Sequence, residues 1–225
     1  MRNKKKIFIP VDTNNISKAK KIINDTQTNK IKVGYKFGLE FFYSKDGRKF
    51  LSNLKNQTIF LDLKLNDIPN TIKSAMRSLK NLKISYLTVH LSSGLSALKT
   101  LKKESRNIKI AGVTTLTSLN NKDLKEIGYN KKVDELVRHQ AKLATKAKLD
   151  AIVCSGHEIR SVKKVFRKEI ITPGIKMHNV KNDQKRIMRP ADAFDAGSDW
   201  LVIGRSITKG NIKKNIKNLL EILED

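Results

Sequence analysis

The sequence predicts an α/β protein with a single-domain TIM (β/α)8 barrel fold. Eight short apolar segments, each typical of a buried strand, alternate with segments whose apolar residues recur at helical spacing. Such alternation indicates a parallel sheet, because consecutive parallel strands need a crossover between them. The 225 residues suit one barrel, so we expect a single domain that spans residues 1–225.

An open doubly wound sheet is the alternative arrangement of the same elements. That fold carries a glycine-rich G-x-G-x-x-G turn after its first strand, where it binds a dinucleotide. No such motif follows the first predicted strand, and no linker rich in Pro, Gly or Ser divides the chain. We therefore favour the closed barrel.

The predicted elements follow one another at fairly even intervals. The strands lie at residues 6–12, 30–37, 58 to just before Pro69, 86–91, 108–114, 151–155, 169–174 and 200–204. Apolar residues at helical spacing begin at Ile16 after the first strand. The helix after the third strand is expected to run to about Leu82, and the helix after the fifth covers about residues 132–147. The polar segment 176–190 lacks periodicity and predicts a long loop, which in compact domains is often functional.

Composition limits the class of protein. There are 47 basic and 21 acidic residues, a formal charge of +26, which permits binding to nucleic acid. The lysines are spread from end to end, however, and aromatic residues make up only 6% without an RNA-binding motif. A basic nucleic-acid-binding protein is therefore the alternative from another class, and we expect no specific nucleic-acid partner.

Cysteine usage and apolar runs bear on the compartment. The one cysteine, Cys154, excludes an internal disulfide and suits a reducing compartment. The apolar run after the basic N-terminus, Ile7 to Val11, is too short for a signal peptide, and no stretch is long enough to cross a membrane. We expect a cytoplasmic protein without a membrane partner.

Charged residues interrupt the third strand. Asp62 and Lys64 should share a face because strand side chains alternate, and Asp67 follows just before Pro69. Burying charge costs free energy, and barrel active sites lie at the carboxyl ends of strands. The ordinary alternative is a structural ion pair with an aspartate in a turn, but the location favours catalysis.

Polar residues at other strand ends should reach the same mouth of the barrel. They are Asp12, Lys36, Thr117, Gly204 and Arg205. The residues together predict an alternating Lys–Asp–Lys charge network that faces an anion site after the eighth strand, where barrels often bind phosphate.

Residues 62–71, D-L-K-L-N-D-I-P-N-T, resemble the D-x-K-x-x-D-I-P-N-T signature of the orotidine 5′-phosphate decarboxylase family. Six more segments resemble the family's motifs in the same order: K-F-G-L-E-F-F, V-T-T-L-T-S, I-V-C-S-G-H-E, T-P-G-I-K, N-D-Q-K-R and V-I-G-R-S-I-T. The resemblance extends over nearly the whole chain.

The resemblance implies decarboxylation of orotidine 5′-phosphate to UMP, the last step of de novo pyrimidine nucleotide biosynthesis, by a homodimer without a cofactor or metal. It implies a catalytic Lys–Asp–Lys–Asp network in which Lys64 donates the proton, formed by Lys36, Asp62, Lys64 and Asp67. The substrate-binding residues that it implies are Asp12, Lys36, Asp62, Thr71, Thr117, Lys176, Gln184, Gly204 and Arg205. Asp67 and Thr71 would reach the site of the partner subunit.

Two positions depart from the bacterial pattern of this family. Asn66 replaces a histidine, and Lys176 replaces an arginine, which keeps the charge but loses the two-pronged contact with phosphate. Sister families with the D-x-K-x-x-D core, 3-keto-L-gulonate 6-phosphate decarboxylase and hexulose phosphate synthase, use Mg²⁺ and lack the I-P-N-T continuation. A Mg²⁺-dependent sugar-phosphate decarboxylase or aldolase is therefore the alternative enzyme. We expect His90 to be a wall residue outside the catalytic set.

Overall fold

Eight parallel strands close into a barrel in the computed structural model, which describes residues 4–177 and 188–224. Each strand pairs with its neighbours in chain order, and the eighth pairs with the first. The strands are β1 (Lys6–Pro10), β2 (Lys32–Phe37), β3 (Thr58–Leu65), β4 (Tyr86–His90), β5 (Lys109–Val113), β6 (Ala151–Val153), β7 (Glu169–Thr172) and β8 (Trp200–Val202). The predicted barrel is confirmed, and every predicted strand overlaps an observed one.

Helices cover the outside of the barrel. Their apolar faces pack inward, as in the first helix, where Ala19, Ile22 and Ile23 are buried. The helices of the described residues are α1 (Ile16–Asp25), α2 (Leu39–Phe42), α3 (Gly47–Asn53), α4 (Pro69–Ser78), α5 (Gly94–Glu104), α6 (Asn121–Glu126), α7 (Val133–Lys146), α8 (Ile159–Lys163), α9 (Pro190–Asp195), α10 (Arg205–Thr208) and α11 (Ile212–Glu224). None of them is long and apolar enough to cross a membrane.

Aromatic side chains fill the barrel below its carboxyl-terminal mouth. Phe8 stacks on Trp200 with ring centroids 4.0 Å apart. Phe60 packs against Phe8 with its ring tilted, and Tyr86 packs against Phe8 in an edge-to-face arrangement. All four are at most 3% exposed. Because this layer fills the interior, polar groups above it face a cavity with an apolar floor.

One helix end differs from the prediction, and several short helices were not predicted. α4 ends at Ser78, short of the expected Leu82, because the chain turns there while Leu79 and Leu82 remain buried and continue the apolar spacing. The predicted loop 176–190 lies partly outside the described residues, and Met188 within it forms a parallel bridge with Ile175, which directly precedes it. The short helices α2, α6, α8, α9 and α10 were not predicted, because four to six residues are too few for a clear helical period.

Candidate active site

The carboxyl ends of the strands surround a cavity of about 670 Å³. This volume lies within the usual range for a small-molecule site. Eight of the predicted site residues line it, contributed by strands β2 and β3 and by the segments that follow β1, β5, β7 and β8: Asp12, Lys36, Asp62, Lys64, Thr117, Lys176, Gly204 and Arg205. The parallel register explains the convergence, since it brings all the carboxyl ends to one mouth.

Alternating charges form a chain of contacts across one side of the cavity. The Nζ of Lys64 lies 2.8 Å from the Oδ2 of Asp62, and the Nζ of Lys36 lies 3.3 Å from the same oxygen. Lys36 also lies 3.6 Å from the Oδ1 of Asp12, whose side chain is largely exposed. A single buried carboxylate is therefore held between two ammonium groups.

The side chain of Asp62 is only 10% exposed. Burial on its own would raise the pKa of this carboxyl, but the charges of Lys36 and Lys64, with hydrogen bonds from Lys64 and Thr88, lower the pKa below its ordinary value of 3.8. Asp62 is consequently ionised at neutral pH. A ligand that places its own anionic group beside Asp62 meets a fixed negative charge there.

Strand β3 is irregular where it carries these groups. From Leu61 to Leu65 the chain advances four residues, while the paired positions on β4, Leu87 and Val89, are two apart. Lys64, inside this bulge, has a φ of 48°, in the left-handed region. The two charged side chains do meet as expected, but through a bulged backbone rather than a regular strand.

Residues 5–216 match the model of the orotidine 5′-phosphate decarboxylase / HUMPS family. The chain belongs to this family. The orotidine 5′-phosphate decarboxylase of Wolbachia pipientis subsp. Culex pipiens (strain wPip) is 39% identical over 227 residues, which cover 97% of this chain and 99% of that protein. The one from Wolbachia sp. subsp. Brugia malayi (strain TRS) is 40% identical over 222 residues, which cover 95% and 96%.

A solved structure agrees with these relatives. The crystal structure of orotidine 5′-phosphate decarboxylase from Lactobacillus acidophilus matches with a TM-score of 0.82 at 27% identity, and the match covers 97% of this chain and 98% of that one. The family name also includes a second group, HUMPS, whereas both curated relatives above carry the decarboxylase name. The expected family is thus confirmed.

Two described residues that the family resemblance implies, Asp67 and Thr71, do not line the cavity of their own chain. Both follow β3 and are exposed. The Oδ1 of Asp67 accepts a hydrogen bond of 2.7 Å from the N–H of Ile68, and Asp67 forms no ion pair within residues 4–177 and 188–224. Gln184 lies outside the described residues.

The decarboxylase-family motifs leave out Thr88, which is fully buried in β4. Its hydroxyl donates to the Oδ1 of Asp62 at 3.1 Å and accepts from the backbone N–H of Lys64 at 2.7 Å. No local signal could have identified it, because a threonine in a buried strand is ordinary. It contacts both members of the central ion pair.

Gln140 in α7 was missed as well. Its Oε1 accepts the N–H of Thr115 at 2.9 Å, two residues before Thr117, and both threonines line the cavity. A glutamine on the buried face of an amphipathic helix is the signal that could have found it. Gln140 fixes the start of the segment after β5.

His90 closes β4 and is partly buried, outside the cavity lining. Burial first, and then the positive charge of Lys64, lower the pKa of His90 below 6.5, so the ring is neutral at neutral pH. Among the described residues, no three His, Cys, Asp or Glu side chains are grouped so that they could hold a metal ion.

Proposed function

We propose that this protein decarboxylates orotidine 5′-phosphate to UMP, the last step of de novo pyrimidine nucleotide biosynthesis, and that it does so in the cytoplasm without a metal or organic cofactor. The observation that carries the proposal is the buried Asp62 carboxylate between Lys36 and Lys64 in the cavity, 3.3 and 2.8 Å from their ammonium groups. Family membership and the names of the relatives support it. We assign the activity to one catalytic domain over residues 1–225.

The phosphate of the substrate would bind where the segments after β7 and β8 line the cavity. Lys176, Gly204 and Arg205 lie in these segments and supply two cations and a backbone close to the β8 end. Barrels commonly bind phosphate after β7 and β8, and a guanidinium can grip it with two hydrogen bonds. We propose that Gln184 contributes to the same contact, and that Asp12 and Thr117 hold the ribose and pyrimidine.

This placement puts the scissile bond beside Lys64. The bond between C6 and the carboxylate breaks, CO₂ leaves, and the electron pair stays on C6. The ammonium of Lys64 stabilises that negative charge as a fixed cation and then transfers a proton to C6. Lys64 afterwards recovers a proton from solvent, so the cycle consumes one proton and needs no electron acceptor.

Asp62 has two roles in this proposal. It orients Lys64, and its own charge faces the substrate carboxylate. Two like charges at ~4 Å repel by about 4 kcal/mol at an effective dielectric constant of 20. Departure of CO₂ relieves that repulsion, which favours the reaction relative to the bound substrate.

We further propose a homodimer in which Asp67 and Thr71 of each subunit complete the site of the other. Asp67 would then be the fourth member of the Lys–Asp–Lys–Asp network. Its exposure in the single chain supports this, as does the 66% exposure of the adjacent Ile68. Leu39, 49% exposed, follows the neighbouring strand β2, so apolar side chains are exposed along this rim of the mouth.

A turnover assay tests the activity. Purified protein is mixed with orotidine 5′-phosphate, and the loss of orotate absorbance is followed with EDTA present. Lys64→Ala protein, prepared identically, measures any contaminating host enzyme. Turnover in EDTA supports the proposal. Turnover of sugar phosphates only with Mg²⁺ would select the alternative enzyme, and salt-sensitive RNA binding without turnover would select the nucleic-acid-binding protein.

A further inference from the structure

Thr88 lies opposite the bulge of β3. Leu87 and Val89, on either side of it, pair with Leu61 and Leu65, so three residues of β3 lie beside this one residue of β4. The Thr88 side chain is 0% exposed and lies outside the cavity lining. It therefore cannot act by touching the substrate.

The hydroxyl of Thr88 donates one hydrogen bond and accepts another. A hydroxyl has one proton to donate, and here the proton goes to the Oδ1 of Asp62, while an oxygen lone pair accepts the N–H of Lys64. Asp62 uses its other oxygen, Oδ2, for the two ammonium groups. Rotation of the carboxylate is consequently limited from both sides.

The backbone of Lys64 needs such a contact. Its left-handed φ of 48° is disfavoured for a residue with a side chain, and the shift in strand pairing occurs at the same point. The Thr88 hydroxyl accepts the Lys64 N–H at 2.7 Å, which holds the amide in this orientation. The direction of the lysine side chain follows from that backbone conformation.

We propose that Thr88 is a positioning residue of the decarboxylation reaction. Through one hydroxyl it sets the backbone from which Lys64 projects and the plane of the Asp62 carboxylate, so that the ammonium is aimed at the reacting carbon. This inference rests on the proposed function. It predicts that Thr88 affects the chemical step more than substrate binding.

Thr88→Val tests the proposal because it keeps the shape of the side chain and removes the hydroxyl. We expect kcat to fall about 10- to 100-fold, as for loss of a hydrogen bond to a charged group. KM should stay within about threefold, and Thr88→Ser should recover most of kcat. The matched control is Thr172→Val, since Thr172 is equally buried in β7 and its hydroxyl bonds Ser198 instead.

A second measurement does not depend on turnover. The Asp62 carboxyl is titrated by NMR in the unliganded wild type and in Thr88→Val, where loss of the hydrogen bond should raise the pKa of Asp62. Thr172→Val should leave that titration unchanged. If the wild type has no turnover, the proposed function fails, while this titration still tests whether Thr88 governs the carboxylate.

Three results would overturn the inference. One is an unchanged kcat and an unchanged Asp62 titration in Thr88→Val. Another is equal damage by Thr88→Ser and Thr88→Val, which would show that the hydroxyl is not the cause. The last is loss of folding in both Thr88→Val and Thr88→Ala while Thr172→Val folds, which would make Thr88 a residue of the fold alone.

Discussion

The ammonium of Lys64 lies 2.8 Å from the carboxylate of Asp62, although Lys64 projects from a left-handed backbone conformation. That conformation costs about 1–2 kcal/mol for a residue other than glycine. The ion pair offers limited compensation, because the Lys64 side chain is 36% exposed and partly screened by solvent. Strain of this kind is typical of functional sites, so the local structure serves the position of the ammonium more than the stability of the barrel.

Removal of the proton donor should abolish the reaction. For Lys64→Ala we expect a loss of at least about 10⁴-fold in kcat, because charge stabilisation and proton donation are lost together. UMP should still bind, since the phosphate contacts are intact. Stopped assays and calorimetry measure the two effects. The control is Lys21→Ala, which removes an exposed lysine paired with Asp25 in α1. Near-normal turnover in Lys64→Ala would show that Lys64 is not the proton donor.

Shared active sites predict recovery of activity in mixed dimers. Lys64→Ala and Asp67→Ala proteins should each be inactive, and equal mixing with subunit exchange should restore about one quarter of the wild-type activity. The reason is that half of the dimers are then hybrids, each with one intact site. Exchange is verified with differently tagged subunits. Exchange without any recovered activity would contradict the sharing of Asp67.

Arg205 should act on the phosphate and not on the reacting carbon. We expect Arg205→Ala to lower kcat/KM for orotidine 5′-phosphate by about 10- to 150-fold. This factor corresponds to the free energy of a hydrogen bond to a charged group. Orotidine, which lacks the phosphate, serves as the control substrate and should react equally slowly with both proteins. Binding energy from the phosphate contributes to turnover in this scheme, so the wild type should turn over orotidine 5′-phosphate far faster than orotidine. An equal loss of kcat/KM for both substrates would show that Arg205 supports the fold and does not bind the phosphate.

Asp62 should contribute a pH-dependent part of the stability. Its pKa in the folded protein is below the ordinary 3.8, so its contribution is fully present above that value and is lost as pH falls through the folded pKa. Asp62→Asn should lack this part of the acid dependence. Urea unfolding of the unliganded proteins from neutral to acidic pH measures the difference. Parallel pH curves for the two proteins would show that the lysines do not hold the carboxylate ionised.

Much of the barrel follows from the sequence alone. Each strand of a parallel barrel is buried on both faces, so the segments around Phe60 or Ile152 are recognisable as short apolar runs without knowledge of their neighbours. Strand order then follows from chain order, because short connections place consecutive strands side by side. Charges at strand ends, such as Asp62, are recognisable because burial there needs a reason.

Tertiary structure decided how that charge is held. Thr88 meets Asp62 across 26 residues of chain, and Gln140 meets Thr115 across 25. Thr88 leaves the apolar pattern of its strand unchanged, and Gln140 marks a polar position on the buried face of α7 without indicating its partner. The left-handed φ of Lys64 arises from the register between two strands rather than from the residue's own preference. A sequence pattern records which residues are buried, whereas hydrogen-bond direction and strand register are set by the elements that pack around them.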